Sequence, residues 1–208
     1  MKDAPAFDLV VLVPDRNTEA ALSGILARPD ALGIRPVTSH IFTHPERDPG
    51  CYHRSHDYLR PMLRCYRHAL VVFDRAGSGR ESEAREILER RVEEKLARSG
   101  WGDRAAAVVV DPELEAWVWS PSPRVAACLG WPAGLASLVN WLTFRGLWPE
   151  GSNKPPQPKQ AVEAVLYHVK KPRSSALYAR MARTVSLQRC ADPAFLKLKD
   201  TLQKWFPP

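Results

Sequence analysis

The chain has 208 residues, a quarter of them charged, and a formal net charge of +7. That length supports one buried core with an extension, and no apolar run approaches the roughly 20 residues that a bilayer crossing needs. Residues 1–8 carry neither the basic region nor the apolar core of a secretory leader, so a cytoplasmic protein with no membrane partner is expected. Four cysteines, Cys51, Cys65, Cys128 and Cys190, form no CxxC pair and are expected to stay reduced.

In chain order, residues 8–13 form a short continuous apolar run, the pattern of a parallel strand covered on both faces. Residues 18–27 follow as a helix with Leu22, Ile25 and Leu26 inward, ended by Arg28-Pro29-Asp30. A second strand is predicted over 34–42, weakened by Pro36. An irregular loop rich in His, Pro and Asp is expected over 44–56, then a helix through Tyr58, Leu59, Met62, Leu63 and Tyr66. Residues 69–74 read as a third strand, and 81–99 as a charged helix whose buried stripe is Ile87, Leu88, Val92 and Leu96. Gly100-Trp101-Gly102 stops it before a fourth strand over 105–110. The alternation predicts an α/β fold with a parallel four-stranded sheet flanked by helices over 1–119.

Beyond Pro112 only helical patterns remain, at 125–129, 135–142, 160–167, 177–182 and 194–205, so 120–208 is expected to be a basic α-helical cap on that domain. The proline-rich connector 148–159 reads as extended and mobile. Charge follows the same division. There are 17 Lys and Arg against 19 Asp and Glu up to Trp119, and 13 against 4 from Ser120 onward, as suits an acidic face beside a surface for a polyanion.

Three strands end on acids. Val13-Pro14-Asp15 closes the first, with Glu19 one turn into the helix that follows, and Phe73-Asp74 closes the third. Asp111, Glu113 and Glu115 follow the fourth. Carboxylates at neighbouring strand ends are the oxygen donors that hard divalent cations such as Mg²⁺ or Mn²⁺ require, and such ions support phosphodiester cleavage. The competing reading makes Asp15 and Asp111 helix caps, pairs Glu19 with an arginine, and starts a turn at Asp74. Gly77-Ser78-Gly79-Arg80 forms a glycine-rich turn whose amides could hold a phosphate, while Lys154, Lys159, Lys170, Lys171 and Arg173 are placed to meet a nucleic-acid backbone.

These residues resemble a known family. Asp15-Arg16-Asn17-Thr18-Glu19 looks like the Glu-Gly-x-Thr-Glu box of Toprim domains in OLD-type and RloB-like nucleases, and Val72-Phe73-Asp74 like their Asp-x-Asp strand end. The segment Pro112-Glu113-Leu114-Glu115-Ala116-Trp117 is similar to their Glu-x-x-Trp segment, and the region 173–199 with Tyr178, Leu187 and Phe195 to the helical tail of small members. The resemblance is closest to the small Toprim-like component of methylation-associated bacterial anti-phage defence systems. It implies a Toprim-like fold and a Mg²⁺- or Mn²⁺-dependent nuclease acting on nucleic acid, with DNA the favoured target. It also implies other proteins of the defence system as partners, with a homodimer as one assembly. Asp15, Glu19, Asp74 and Glu113 would be catalytic, and Asp15, Asp74, Asp111, Glu113 and Glu115 the metal ligands. Two positions depart: Ala76 stands where the second aspartate of Asp-x-Asp falls, and Arg16 where the glycine of the first box falls. Ala76 leaves open a catalytically lapsed subunit that binds nucleic acid or a partner protein, and Glu81 could replace the missing acid.

Other motifs carry less. Cys51, His53, His56 and Cys65 could bind zinc, at a spacing that matches no familiar finger. Neither a Gly-x-Ser-x-Gly elbow nor a Walker loop is present. Trp117, Trp119, Trp131, Trp141 and Trp148 are expected to form core between sheet and cap, with stacking on bases as the alternative.

Overall fold

The computed structural model describes residues 5–208; the first four residues of the amino-terminal reading lie outside them. The sheet comprises β1 (Phe7–Val13), β2 (Ser39–Thr43), β3 (Tyr66–Asp74) and β4 (Ala105–Val110). All pairs are parallel, in the order β2-β1-β3-β4, with Val11 level with Ile41 and Leu70, and Val72 level with Val108. The helices between strands are α1 (Arg16–Leu26), the short α2 (Pro29–Leu32), α3 (Arg47–Leu59) and α4 (Arg85–Leu96).

Residues 9–13 and 69–73 are fully buried because both sheet faces are covered, which is why they read as continuous apolar runs. Leu9, Val11, Leu70, Val72 and Val108 face α1. Val10, Leu12, Val71, Phe73 and Val109 face α3 and α4, through Cys51, Tyr52, Leu59, Leu88 and Val92. The chain thus leaves β1 toward β2 over one face and returns past β1 to β3 over the other. The two crossovers diverge at the C-terminal ends of β1 and β3, the crevice where open parallel sheets bind ligands.

Three elements differ from the sequence expectation, the first being the helix expected through Tyr58, Leu59, Met62, Leu63 and Tyr66: α3 ends at Leu59, one tight turn reaches Met62, and Tyr66 already opens β3. The second strand begins only at Ser39, since Pro36 and the preceding turn of α2 hold the chain outside the sheet. The loop expected over 44–56 is instead mostly α3. Pro49 lies in its first turn, where a missing N–H costs nothing, and its buried side is Gly50, Cys51, Tyr52, Ser55 and Leu59, too small and polar to stand out as an apolar stripe.

After β4 come α5 (Arg124–Leu129), α6 (Gly134–Phe144), α7 (Pro158–His168), α8 (Ser175–Thr184) and α9 (Pro193–Trp205). Phe195, Leu198 and Leu202 of α9 join the same core as Leu9 and Val108, so the C-terminal helix completes one face of the sheet. Trp119 and Trp148, both buried, meet edge to face in a helical core with Val125, Val162 and Tyr178. The connector 148–159 is pinned rather than free. The indole of Trp148 donates to Ser152 O at 2.7 Å, that of Trp119 to Pro158 O at 3.0 Å, and Lys154 pairs with Asp192 at 2.7 Å.

The free edge of β4 shows why α4 is so charged. Glu89 Oε1 accepts from Val109 N and Glu93 Oε1 from Ala107 N, each at 3.0 Å, and Lys197 of α9 bridges both carboxylates at 3.1 and 2.8 Å. Arg85 adds a bond to Glu89 at 3.0 Å. Edge amides that could recruit another strand are thereby satisfied within the chain. Among the described residues no helix is long and apolar enough to cross a membrane, and all four cysteines are unpaired.

Candidate functional site

A cleft of about 870 Å³ opens at the crevice between the ends of β1 and β3. Asp15, Asp48, Asp74, Glu113 and Glu115 line it, with Lys159 and Arg173 on the side of the C-terminal helices. The strand ends and the start of α3 supply its floor.

Asp15 follows β1 and caps α1, its Oδ1 accepting from Asn17 N and Thr18 N at 2.9 Å each and from the Thr18 hydroxyl at 3.1 Å. It is both a cap and a cleft residue, since one oxygen does all the capping. Asp74 ends β3. Its Oδ1 is buried with no hydrogen-bond partner, and one backbone bond from Leu114 is too little to offset burial beside Asp48, Glu115 and Asp15. Burial first, then those neighbouring charges, hold its carboxyl well above the usual range.

Asp48 is the floor residue that sequence reasoning missed, because α3 was read as loop. It sits in the first turn of α3 and its Oδ1 accepts from Asp74 N at 2.9 Å, clasping the end of β3. Burial pushes its pKa up to about 6 despite that hydrogen bond. Its position depends on Gly50: a Cβ there would fall 2.0 Å from His44 Nδ1, so only glycine lets α3 pack on the buried, cleft-lining His44. The sequence signal was available as Asp-Pro in a helical first turn, followed by Cys51, Ser55 and Leu59 four residues apart.

The opposite wall is differently built. Glu115, 2% exposed, takes a hydrogen bond from the Tyr178 hydroxyl and an ion pair from Arg173 Nε at 3.2 Å. Arg173 also reaches Glu163 at 3.3 Å. Glu113 accepts from Lys159 N at 3.1 Å, with Lys159 Nζ 4.0 Å away, and burial still raises its pKa. Among the described residues the floor acids have no cation within ion-pair distance, although Arg16 and Arg47 line the same cleft.

Several expected site residues lie elsewhere. Glu19, one turn further along α1, and Asp111, which pairs with Arg75 at 2.8 Å, do not line the cleft. The Gly77-Ser78-Gly79-Arg80 turn is not an open phosphate cradle, because Glu81 Oε1 already accepts from Gly77 N and Gly79 N at 2.9 and 3.1 Å. That engagement also keeps Glu81 from serving as the missing acid, although Gly77 and Ala76 line the cleft. Lys154 is held by Asp192, the cap of α9, and so is not free for phosphate. Lys170 borders a neighbouring groove, and Lys171 lies against Gly130.

Among the described residues no three His, Cys, Asp or Glu side chains stand together in ready metal-ligand geometry, and this includes Cys51, His53, His56 and Cys65. Cys51 is buried within α3 whereas Cys65 is exposed at the start of β3. No family model, curated protein or solved structure matches the chain. The functional reading therefore rests on the geometry of the cleft.

Proposed function

We propose that the acidic cleft is a Toprim-like, Mg²⁺- or Mn²⁺-dependent phosphodiesterase site acting on nucleic acid, most readily DNA. The observation that carries this reading is the Asp74 carboxylate, with a buried oxygen lacking any partner, at a sheet crevice shared with Asp48 and Asp15. The donor set suits a hard cation: Asp15, Asp48 and Asp74 offer carboxylate oxygens, and among the described residues none of the three is held in an ion pair, although Arg16 and Arg47 also line the cleft. Asp74 and Asp15 would hold the ion with Glu113 beside it, each having to close in on it, since they do not stand in ready ligand geometry on their own. A bound ion supplies positive charge for a phosphoryl oxygen and lowers the pKa of water.

The chain's own residues supply the rest. Arg16 and Arg47, which line the cleft and enter no ion pair among the described residues, can with Lys159 take the non-bridging oxygens of a phosphodiester, orienting it over the carboxylates. Asp48, with a pKa near 6 and one oxygen free of the Asp74 amide, can accept a proton from attacking water at neutral pH. In the cellular setting that the sequence resemblance implies, the protein works in the bacterial cytoplasm as one subunit of an anti-phage defence system, alone or as a homodimer.

A second reading, a lapsed Toprim-fold subunit that binds nucleic acid or a partner protein without cutting, is favoured by Ala76 and by the closed Glu115-Arg173 pair. Cleavage of plasmid DNA with Mn²⁺ or Mg²⁺ by the native chain and by Asp74→Ala separates the two. The nuclease reading expects cutting that disappears in the variant while the circular dichroism spectrum is unchanged. Absence of both cutting and metal binding in the native chain overturns it.

A further inference from the structure

Next to the acidic cleft lies a second groove, of about 640 Å³, lined by Arg145, Gln160, Glu163, Tyr167, His168 and Lys170. Glu163 lines both cavities, so the two are neighbours along α7. The buried side of that helix is Ala161, Val162, Val165 and Leu166. Its other side runs through Lys159, Glu163 and Tyr167, four residues apart, for about 12 Å at the helical rise.

Two features set this surface apart. Phe144, adjacent to Arg145, and Tyr167 are each 88% exposed, far beyond the other exposed large apolar side chains. Trp131, Trp141 and His168 form a ring cluster with centroids 4.9 to 5.2 Å apart, and the Arg145 guanidinium lies over Trp141 at 5.4 Å. The charge is also one-sided. Arg145, Lys170 and Lys171 enter no ion pair among the described residues, and the one carboxylate in the groove, Glu163, is already paired with Arg173. Lys170 moreover holds a positive φ of 53°, a position that closes α7 and that glycine would occupy without strain.

We propose that this groove is the track for a single-stranded nucleic acid, whose bases stack on Tyr167 and on Phe144 beside Arg145 while Arg145 and Lys170 meet its phosphates, and which leads along α7 toward the acidic cleft. Exposed aromatic rings alternating with unpaired cations recognise a single strand, since a duplex keeps its base faces covered. The inference rests on the reading of the cleft as a nucleic-acid site, and it narrows that substrate to a strand with unpaired bases.

Fluorescence anisotropy tests it, with a labelled oligothymidine and a duplex of equal length in low salt and EDTA, where no cutting occurs. The native chain should prefer the single strand. Phe144→Ala with Tyr167→Ala should weaken single-strand binding about tenfold or more, with no change in melting temperature because both rings are in solvent. Lys170→Gly should melt higher yet bind more weakly and with a shallower salt dependence. Failure of the native chain to bind the oligonucleotide, equal binding of duplex, or native affinity in the double aromatic variant overturns the groove. Metal-dependent cutting, measured separately, judges the cleft, so loss of cutting with binding intact counts against the cleft alone.

Discussion

The floor of the cleft and the free edge of β4 use the same residue types to opposite ends. At the edge, Glu89 and Glu93 are saturated: each accepts a strand amide, and Lys197 joins them, with Arg85 on Glu89. At the floor, Asp74 and Asp48 are comparably enclosed, yet among the described residues Asp74 Oδ1 has no donor and neither acid forms an ion pair, Arg47 acting on Asp48 only from beyond that distance. A fold that can neutralise buried carboxylates so completely on one side leaves them unneutralised on the other. Unpaired buried charge costs stability, so the floor is the place where a ligand of positive charge contributes most.

The contrast can be broken first at the edge. Glu89→Ala leaves Val109 N without its acceptor, strips Arg85 and Lys197 of one of their two carboxylates, and should cost about 3 kcal/mol in urea unfolding. A loss within a few tenths would mean that the edge network is ornamental. The next effect is one of pH. Because the folded pKa of Asp48 is raised to about 6, the native state holds that proton more tightly than the unfolded chain does. Its contribution to stability is therefore most favourable below the ordinary carboxylate range, and declines as pH rises from about 4 to about 6, by on the order of 2 kcal/mol. Asp74, also raised, extends the decline upward. Asp48→Asn should flatten the slope, and an unchanged profile in that variant would contradict the assignment.

Asp74→Asn sharpens the comparison with Glu89→Ala because its sign is reversed. Removing the charge should leave the chain as stable or raise stability by about 1 kcal/mol at neutral pH, while cutting is lost. Destabilisation as large as that at Glu89 would make Asp74 a structural acid. A change no larger than about 1 kcal/mol, of destabilising sign, is expected at Asp15, where alanine removes the cap bonds to Asn17 N and Thr18 N, in addition to weakening any metal site.

What the amino-acid order revealed follows the same physics. Strands β1, β3 and β4 were legible because burial on both faces demands unbroken apolar runs, and Asp15 and Asp74 were legible because each ends such a run. Asp48 was hidden because α3 packs through Gly50, Cys51 and Ser55, whose fit against His44 is a matter of close approach and not of hydrophobicity. The fates of Glu113, Glu115 and Lys154 were hidden for another reason. Their partners Lys159, Arg173, Tyr178 and Asp192 lie 38 to 63 positions away, in or just before helices whose docking no local pattern encodes.

The most direct measurement is a Mn²⁺ titration of the native chain and of Asp74→Asn at neutral pH, followed by calorimetry and by the paramagnetic broadening of the bound ion. Saturable binding in the native chain, absent or at least tenfold weaker in the variant, is the predicted result. Equal binding in both, or none in either, would contradict a cation site at the strand ends.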